Sequence, residues 1–470
     1  MIKKSVTWCK ENIVFISVLG LFFGFQLIYV SNATVNVPVM DYWRYINNYV
    51  DKCFMGGITF NELYESYAGH KSLLTTLLFV INVTFFKLNV RVSTFFASVV
   101  MICSAILIYN LFLSNLRFAS SNERKQNIIP QVLGALIIFP IFNLNQWEIL
   151  CLEFATPFML RILITIAMFL FTEKLILNQT ISSLTLFPYA ICLVASTNLV
   201  FAGYSFAFIA AIFLAVAFNF FINKNKASYI TGFCIATSAL IGLLLYFSGT
   251  QSAINSIKTP IKMLLLNSPK GILVLLSSSV FHENLANETL GLKIYYIVGF
   301  ILLLIYLAAV LIYLKKKYYK FSYIPVMLIC YAFCNMGCMY ISRFREFGLN
   351  GMVASRYTVD TTLGLIGVIW IFSLLLFEYI QQPKRKFSFK VGLCVSSVAA
   401  ILLSISLTNM KEQQISVYRC AYFRELVNKM ENIEMLPDEE LNQYQANSPE
   451  MVRNGVQLMK KYHLGIYKHV

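Results

Sequence analysis

The amino-acid sequence predicts an all-α polytopic membrane protein. Of its 470 residues, 58% are hydrophobic and only 13% are charged, whereas about 25% of the residues in a soluble domain are charged. The mean hydropathy is +0.68. Eleven apolar runs are long enough to cross roughly 30 Å of hydrocarbon at about 1.5 Å per residue. Lipid is therefore the expected solvent for most of the chain.

The apolar runs are separated by short basic segments or by longer polar loops. We expect about 11 transmembrane helices, at residues 13–30, 92–113, 128–144, 154–171, 181–197, 199–222, 229–247, 294–314, 321–341, 361–380 and 391–407. A further apolar segment, 73–86, is only 14 residues long and contains Thr75, Thr76, Asn82 and Thr84. This length is more typical of an interfacial or re-entrant helix than of a crossing, so we expect the segment to lie on the outer surface.

The positions of the basic residues indicate the orientation. If the N-terminus is cytoplasmic and the segment 73–86 does not cross the membrane, every short basic cluster falls on the cytoplasmic side, as the positive-inside rule requires. The clusters are Lys3, Lys4 and Lys10, then Arg117, Arg124 and Lys125, then Lys174, then Lys224 and Lys226, then Lys315, Lys316, Lys317 and Lys320, then Lys384, Arg385, Lys386 and Lys390. The net charge of +16 therefore indicates membrane orientation and not a nucleic-acid partner.

These assignments divide the chain into two parts. We expect a polytopic domain over 1–407, with extracytoplasmic loops at 31–91, 145–153, 249–293 and 342–360. An extracytoplasmic helical tail, 408–470, is expected to cap it. The cytoplasmic side has no room for a nucleotide-binding domain, and neither a Walker A sequence nor a glycine fingerprint is present. An ATP-driven pump and an enzyme with a Rossmann-like domain for nucleotide sugars are thereby excluded.

The first outer loop contains the leading candidate for catalysis. Asp41 precedes apolar residues at helical spacing, so it begins an amphipathic helix that also contains Trp43. Asp41 is either an N-cap or a base that takes a proton from an acceptor hydroxyl near the lipid headgroups. Later in the same loop, His70 and Lys71 can contact a phosphate at headgroup depth or can serve only as a membrane anchor.

A second candidate group lies between the third and fourth predicted spans. Gln146, Trp147 and Glu148 supply an amide, a stacking face and a carboxylate, which together suit a sugar. The alternative is a tryptophan of the interfacial belt beside a solvated glutamate.

Arg161 follows in an otherwise apolar helix. An ionisable residue there is a functional candidate, although it can instead reach back to the outer surface.

Three arginines form the third candidate group. Arg343, Arg345 and Arg356, the last followed by Tyr357, fall on the outer side, against the positive-inside rule. Guanidinium groups bind phosphate oxygens in pairs. A lipid-linked phosphate is the favoured partner, and structural ion pairs are the alternative.

At these residues the chain resembles the bacterial GT-C superfamily of integral-membrane glycosyltransferases and is similar to O-antigen-modifying (serotype-converting) glucosyltransferases. The resemblance covers most of the chain in order, over Asp41-Tyr42-Trp43, His70-Lys71, Gln146-Trp147-Glu148 and Ser355-Arg356-Tyr357. It implies a carboxylate in the first extracytoplasmic loop, here Asp41, as the catalytic base, and a sugar on a polyprenyl phosphate as the donor.

The resemblance implies transfer of a hexose such as glucose from polyprenyl phosphate to a surface glycan, such as the O-antigen of lipopolysaccharide, at the outer face of the bacterial cytoplasmic membrane. The expected partners are this donor, the glycan acceptor and membrane lipids, without nucleic acid. No cofactor is expected, and a divalent metal requirement is left open.

The alternatives are an O-antigen polymerase and a flippase or transporter of lipid-linked sugars. A transporter is expected to place its ionisable residues near the bilayer midplane. A transferase is expected to bring Asp41, Glu148 and Arg356 to one outward cleft.

Overall fold

The computed structural model describes residues 2–67, 70–119, 128–177, 183–199, 203–223, 226–248, 260–284, 291–381 and 388–468. Its helices are α1 (Ile2–Glu11), α2 (Ile13–Ala33), α3 (Tyr42–Met55), α4 (Phe60–Leu63), α5 (Leu73–Phe86), α6 (Val90–Ala119), α7 (Ile128–Ile138), α8 (Trp147–Cys151), α9 (Ala155–Leu177), α10 (Ser183–Leu199), α11 (Gly203–Asn223), α12 (Lys226–Phe247), α13 (Ile261–Ser278), α14 (Leu292–Lys315), α15 (Ile324–Phe347), α16 (Thr358–Ile380), α17 (Phe389–Met430), α18 (Asp438–Leu441) and α19 (Pro449–Lys461). Within these ranges the β structure is one antiparallel hairpin of β1 (Ser66–Tyr67) and β2 (His70–Lys71).

The structure confirms the prediction of an all-α, multi-pass membrane protein. In the part of the chain that it describes, ten helical segments are long and apolar enough to span a bilayer, and nine of them coincide with predicted spans. The other two predicted spans correspond to α9 and α10, which are helical but are not among the ten. The tenth segment is α13, which lies inside the predicted loop 249–293, where Lys262, Pro269 and Lys270 interrupt the apolar pattern.

The helix ends form two opposite faces of the bundle. We call one end the loop face; it contains α3, α8, residues 278–284 and the turn Ser355–Tyr357. The other end, the basic face, contains α1, residues 315–323 and the C-terminal ends of α9 and α16. There the Lys316 ammonium pairs with the Glu378 carboxylate at 2.7 Å, and the Trp8 indole donates to Asn110 Oδ1.

The predicted cytoplasmic clusters that the structure describes belong to the basic face. They include Lys10, Lys174, Lys315, Lys316, Lys317, Lys320 and Lys390. Arg124, Lys125, Lys224, Lys384, Arg385 and Lys386 lie outside the described residues. The lysines therefore share one end of the bundle, as the predicted topology requires. That this end faces the cytoplasm stays a prediction.

Both ends of α5, the helix formed by the short apolar segment 73–86, lie near the loop face. At the N-terminal end of α5, the Lys71 ammonium lies over the Tyr64 ring, and the Tyr64 hydroxyl donates to the Leu245 carbonyl at the end of α12. At the C-terminal end of α5, the Lys87 carbonyl accepts the Gly465 amide of the tail. This placement favours a surface position for α5. The C-terminal ends of α12 and α13 also lie at the loop face.

The tail packs on the first loop and shares a second hydrophobic core with it. Trp43 is fully buried and meets Tyr444 edge to face, with ring centroids 5.6 Å apart. The Met40 amide donates to the Tyr444 carbonyl at 2.8 Å. No helix break separates the tail from the membrane domain, because α17 runs through 42 residues across the predicted boundary at 407/408.

Small residues allow close packing between the membrane helices. A Cβ atom added to Gly299 on α14 would lie 2.1 Å from the Leu273 carbonyl oxygen on α13. One added to Gly367 on α16 would lie 2.4 Å from the Pro325 carbonyl oxygen on α15. Since lipid is as apolar as leucine, such close backbone contact, and not hydrophobic burial, stabilises helix pairs in a membrane.

Gly299→Ala is expected to lower the free energy of unfolding by about 1–3 kcal/mol, because the added methyl group meets backbone that cannot move aside. Thermal unfolding of the detergent-solubilised protein measures this change. Gly337→Ala on α15 is the matched control, because a Cβ there has no atom within 4 Å among the described residues. Equal unfolding temperatures for the two variants would contradict the packing argument.

Candidate functional site

A buried carboxylate holds the loop face together. Glu412 on α17 is fully buried. Its Oε1 accepts hydrogen bonds from the Tyr29 hydroxyl at 2.6 Å and from Arg419 Nε at 2.5 Å. Its Oε2 accepts from Arg419 Nη2 at 2.9 Å and meets His282 Nε2 at 2.5 Å. One side chain thereby joins α2, α17 and the segment after α13.

The tautomer of His282 follows from its second contact. The Asn284 amide donates to His282 Nδ1 at 3.2 Å, so Nδ1 is the acceptor and Nε2 carries the proton that points to Glu412. A neutral imidazole satisfies both contacts. The guanidinium of Arg419 then supplies the positive charge that compensates the buried carboxylate.

Glu283 forms a second acidic centre beside the first. Its carboxylate accepts from the Trp147 indole at 2.7 Å and from the Ser355 amide at 3.3 Å, and it lies 3.4 Å from Arg419 Nη2. Burial raises the pKa of the Glu283 carboxyl. The Arg419 guanidinium lies 3.5 Å over the Trp147 ring, so a cation covers one face of this predicted sugar-stacking residue.

Local sequence explains how residues 145–148 reach this face. Pro140 lies in the 3₁₀ turn Phe139–Phe142 that ends α7, as expected where a proline removes a helical hydrogen bond. The side chain of Asn143 then caps the turn Leu144–Gln146 by accepting the Asn145 amide. The Asn145 amide group donates to the Ser278 and Phe281 carbonyls, which ties the turn to the end of α13.

The structure brings Glu148 and Arg356 together through the backbone. The Arg356 amide donates to Glu148 Oε2 at 3.2 Å, and the Glu148 amide donates to Ser355 Oγ at 3.4 Å. The Arg356 guanidinium lies 5.6 Å from the centre of the Tyr357 ring. Its Nε is buried and has no hydrogen-bond partner in the described part of the chain. Arg356 therefore keeps one guanidinium nitrogen without a hydrogen bond in the described part of the chain.

Asp41 lies at the start of α3, on the loop face, with an exposed side chain. It occupies the N-cap position, but its side chain makes no capping hydrogen bond, so the interpretation as a cap is not supported. The preceding residue, Met40, has φ of 55°, a left-handed conformation that is unfavourable for a side chain with a Cβ. The contact between the Met40 amide and the tail holds this turn in place.

Glu153 is a carboxyl that the sequence analysis did not single out. It is 3% exposed, its Oε1 accepts the Val39 amide at 2.8 Å, and its Oε2 has no partner among the residues described. Burial is the largest cause that raises the pKa of Glu153 to about 8, and the nearby charge of Asp41 adds to it. The protonated form of Glu153 is therefore favoured at neutral pH, and its bond to Val39 places it beside the turn that presents Asp41.

Several predicted binding residues lie elsewhere. Trp43 is in the core shared with the tail, and Gln146 is buried with its amide nitrogen bonded to the Ile141 carbonyl. Neither placement favours contact with a substrate. Lys71 is buried with its ammonium 4.1 Å from the Tyr64 ring centre, and burial lowers its pKa. The backbone of His70 pairs in β2.

Two of the three outer arginines are on the exposed end of α15. Arg343 pairs with Glu346 at 3.1 Å on the surface, which matches the alternative of a structural ion pair. Arg345 is exposed. Arg343 and Arg345 are thus at the surface, whereas Arg356, which contacts Glu148, is half-buried.

Arg161 is inside the bundle and not at its surface. It is 1% exposed and pairs with Asp360 of α16 at 2.9 Å, and the Tyr331 hydroxyl donates to the other Asp360 oxygen at 2.6 Å. The guanidinium also lies 3.5 Å from the Tyr204 ring centre. Its Nε and Nη1 make no hydrogen bond within the described residues. The alternative that Arg161 reaches back to the surface is wrong, because a buried carboxylate holds it.

A cavity of about 310 Å³ opens on the loop face next to Asp41. The first loop, α8, α17 and the tail form its wall, through Val39, Met40, Trp147, Leu152, Ile415, Tyr418, Arg419, Tyr422, Phe423, Gln443 and Gln445. Over the described ranges, no three His, Cys, Asp or Glu side chains lie close enough to hold a metal ion.

Sequence reasoning missed His282, Glu283, Glu412 and Arg419. Glu412 and Arg419 are seven residues apart, which places them on one side of a helix two turns apart. That spacing directly after an apolar span was an available signal. The sequence carries no such signal for His282 and Glu283, because only the folded chain brings them to Glu412.

Comparison with known proteins adds no family assignment. No protein-family model matches this chain, and no curated protein matches it.

Glu412→Ala is expected to lower the free energy of unfolding by about 3–5 kcal/mol, because it leaves the charge of Arg419 without its buried partner. Glu425→Ala, on the same helix, removes an exposed pair with Lys429 and is expected to cost less than about 1 kcal/mol. Chemical or thermal unfolding in detergent compares the two. Similar losses would contradict the central role of Glu412.

The raised pKa of Glu153 predicts a pH-dependent stability. Between about pH 4.5 and 8 the folded state keeps a proton that the unfolded state releases, so stability falls as pH rises through this range. Glu153→Gln mimics the protonated form and is expected to remove this fall. Unfolding temperatures at pH 5 and pH 8.5 measure it, with Glu425→Gln as an exposed control. Parallel curves for wild type and Glu153→Gln would contradict the prediction.

Proposed function

We propose that this protein is a membrane glycosyltransferase that moves a hexose from a polyprenyl-phosphate donor to a surface glycan. The observation that carries the proposal is the meeting of three distant stretches on one face. The amide of Val39, two residues before Asp41, bonds to Glu153, and Glu148 on the adjoining α8 bonds to the Arg356 backbone. Acidic and basic groups near one end of a lipid-spanning bundle suit a donor with an apolar anchor, a phosphate and a sugar.

Asp41 is the base in this proposal. It takes the proton from an acceptor hydroxyl as the hydroxyl oxygen forms its bond to the anomeric carbon of the donor sugar. The bond between that carbon and the phosphate oxygen breaks, and polyprenyl phosphate leaves with the electron pair. The exposed position of Asp41, without a capping hydrogen bond, supports this role. Protonated Glu153 adds no negative charge beside it at neutral pH.

Arg356 is the proposed ligand of the leaving phosphate. Its guanidinium is half-buried and has an unpartnered Nε in the described structure, whereas Arg343 already has Glu346 as its partner. A guanidinium in a partly desolvated position stabilises negative charge more strongly than one at the surface. Negative charge grows on the phosphate as the bond breaks, so Arg356 lowers the energy of the transition state.

A second candidate function is transport of a lipid-linked sugar. The buried Arg161–Asp360 pair favours it, because ionisable groups inside a bundle are typical of transport paths. A transporter moves lipid-linked sugar between leaflets without joining it to an acceptor. The two functions are therefore separable in the same vesicles.

Asp41→Asn is expected to reduce sugar transfer by about 10²–10⁴-fold, the usual contribution of a general base. The assay supplies membrane vesicles with polyprenyl-phosphate-linked hexose and glycan acceptor, and mass spectrometry measures the product. Asp51→Asn on the same helix changes an exposed carboxylate that pairs with Lys461 and is expected to keep full transfer. Wild-type activity in Asp41→Asn would overturn the base assignment. Movement of the donor between leaflets without transfer would favour the transporter.

A further inference from the structure

We infer that the cavity beside Asp41 is the acceptor subsite and that it binds a neutral pyranose unit of the glycan. This inference rests on the proposed transferase function and adds the location and chemical class of the acceptor. Three independent observations support it: the height of the cavity above the lipid, the side chains of its wall, and its continuity with the Asp41 turn.

The cavity lies beyond the apolar part of the bundle. Ile415, the first residue of α17 in its wall, is eight residues past the predicted end of the last span at Leu407. At about 1.5 Å per residue, this is about 12 Å farther along the helix. The other walls are the first loop and the tail. Prenyl chains and acyl chains belong in hydrocarbon, so a ligand at this height is water-soluble.

The wall combines aromatic faces with a few polar groups. Tyr418 is 76% exposed, and Trp147, Tyr422 and Phe423 are the other aromatic residues of the wall. Arg419, Gln443 and Gln445 supply the polar groups. The apolar C–H face of a pyranose stacks on aromatic rings, and its hydroxyls need donors and acceptors at the edge. A volume of about 310 Å³ is at the lower end of small-ligand pockets, roughly 300–1,000 Å³, which suits one or two sugar rings.

Charge also selects the class of ligand. The guanidinium of Arg419 is already compensated by Glu412 and Glu283, so the wall residues that the structure describes offer no uncompensated cation to an anionic ligand. Arg356, which is not part of this wall, is the better ligand for a phosphate. The cavity therefore favours the neutral acceptor over the anionic donor.

The cavity is continuous with the residue that is proposed to react. Met40 is part of its wall, and the Cα atom of Asp41 follows at about 3.8 Å. The left-handed conformation of Met40 and its bond to Tyr444 fix the turn between them. The residue after Met40, which carries the proposed base, therefore adjoins the cavity.

Ligand binding to the full-length protein in lipid nanodiscs tests the inference. Saturation-transfer NMR with methyl glycosides of glucose, galactose, rhamnose and N-acetylglucosamine is expected to show saturable binding of at least one of them. Ile415→Trp adds a bulky ring to the cavity wall and is expected to abolish this binding by steric exclusion. Val417→Trp, the matched control, adds the same bulk at an exposed position on the same turn that is outside the wall, and is expected to leave binding unchanged.

Tyr418→Ala provides a second variant that is independent of cavity filling. Because Tyr418 is exposed, its loss leaves the fold intact, and the apparent Kd is expected to rise about tenfold, as for one lost stacking or hydrogen-bonding contact. Absence of sugar binding in the wild type, or equal binding in Ile415→Trp, would overturn the inference. Binding of farnesol that Ile415→Trp blocks would assign the cavity to a lipid and would also overturn it.

A transfer assay separates this inference from the proposed function. If transfer occurs and the acceptor KM is unchanged in Ile415→Trp, the subsite is refuted while the function stands. If no transfer occurs but Ile415→Trp still removes sugar binding, the function is refuted while the sugar site stands. When both hold, Ile415→Trp raises the acceptor KM and leaves the donor KM unchanged.

Discussion

The Glu412 carboxylate is the interaction on which the loop face depends. A carboxylate inside a protein is tolerated only when charge and hydrogen bonds compensate its lost hydration, and here Tyr29, His282 and Arg419 supply them. Arg419 in turn stacks on Trp147 and reaches Glu283, which accepts the Ser355 amide. The positions of α8 and of the turn before α16 therefore depend on one buried charge.

The proposed site inherits its geometry from this network, although no catalytic candidate belongs to it. Glu148 follows Trp147 directly, and Arg356 follows Ser355 directly. A residue that donates a hydrogen bond to Glu283, Trp147 through its indole and Ser355 through its backbone amide, thus precedes each predicted substrate ligand. Asp41 is held differently, by the tail through Met40 and by Glu153 through Val39. The proposed base and the proposed phosphate ligand are consequently positioned by separate parts of the protein, which meet at the cavity.

Composition and apolar run length predicted the fold because lipid imposes a simple requirement on each crossing helix. They failed at α13, where Lys262, Pro269 and Lys270 break the apolar run but neighbouring helices still bury one side. For the site, residue type alone pointed to Arg356 and Glu148. It could not separate the core position of Trp43 from a binding position, nor find the partner of Arg161, because Asp360 is 199 residues away along the chain. Pairings across such distances exist only in the folded bundle.

The unbroken course of α17 has a consequence for substrate selection. Its 42 residues make a rod of about 63 Å, roughly twice the hydrocarbon thickness, and the same rod crosses the lipid and forms a wall of the cavity. Without a hinge between these parts, the distance from the bilayer to the cavity is constant. In the proposed transferase, such a rod fixes how far from the bilayer a sugar hydroxyl must lie to reach Asp41.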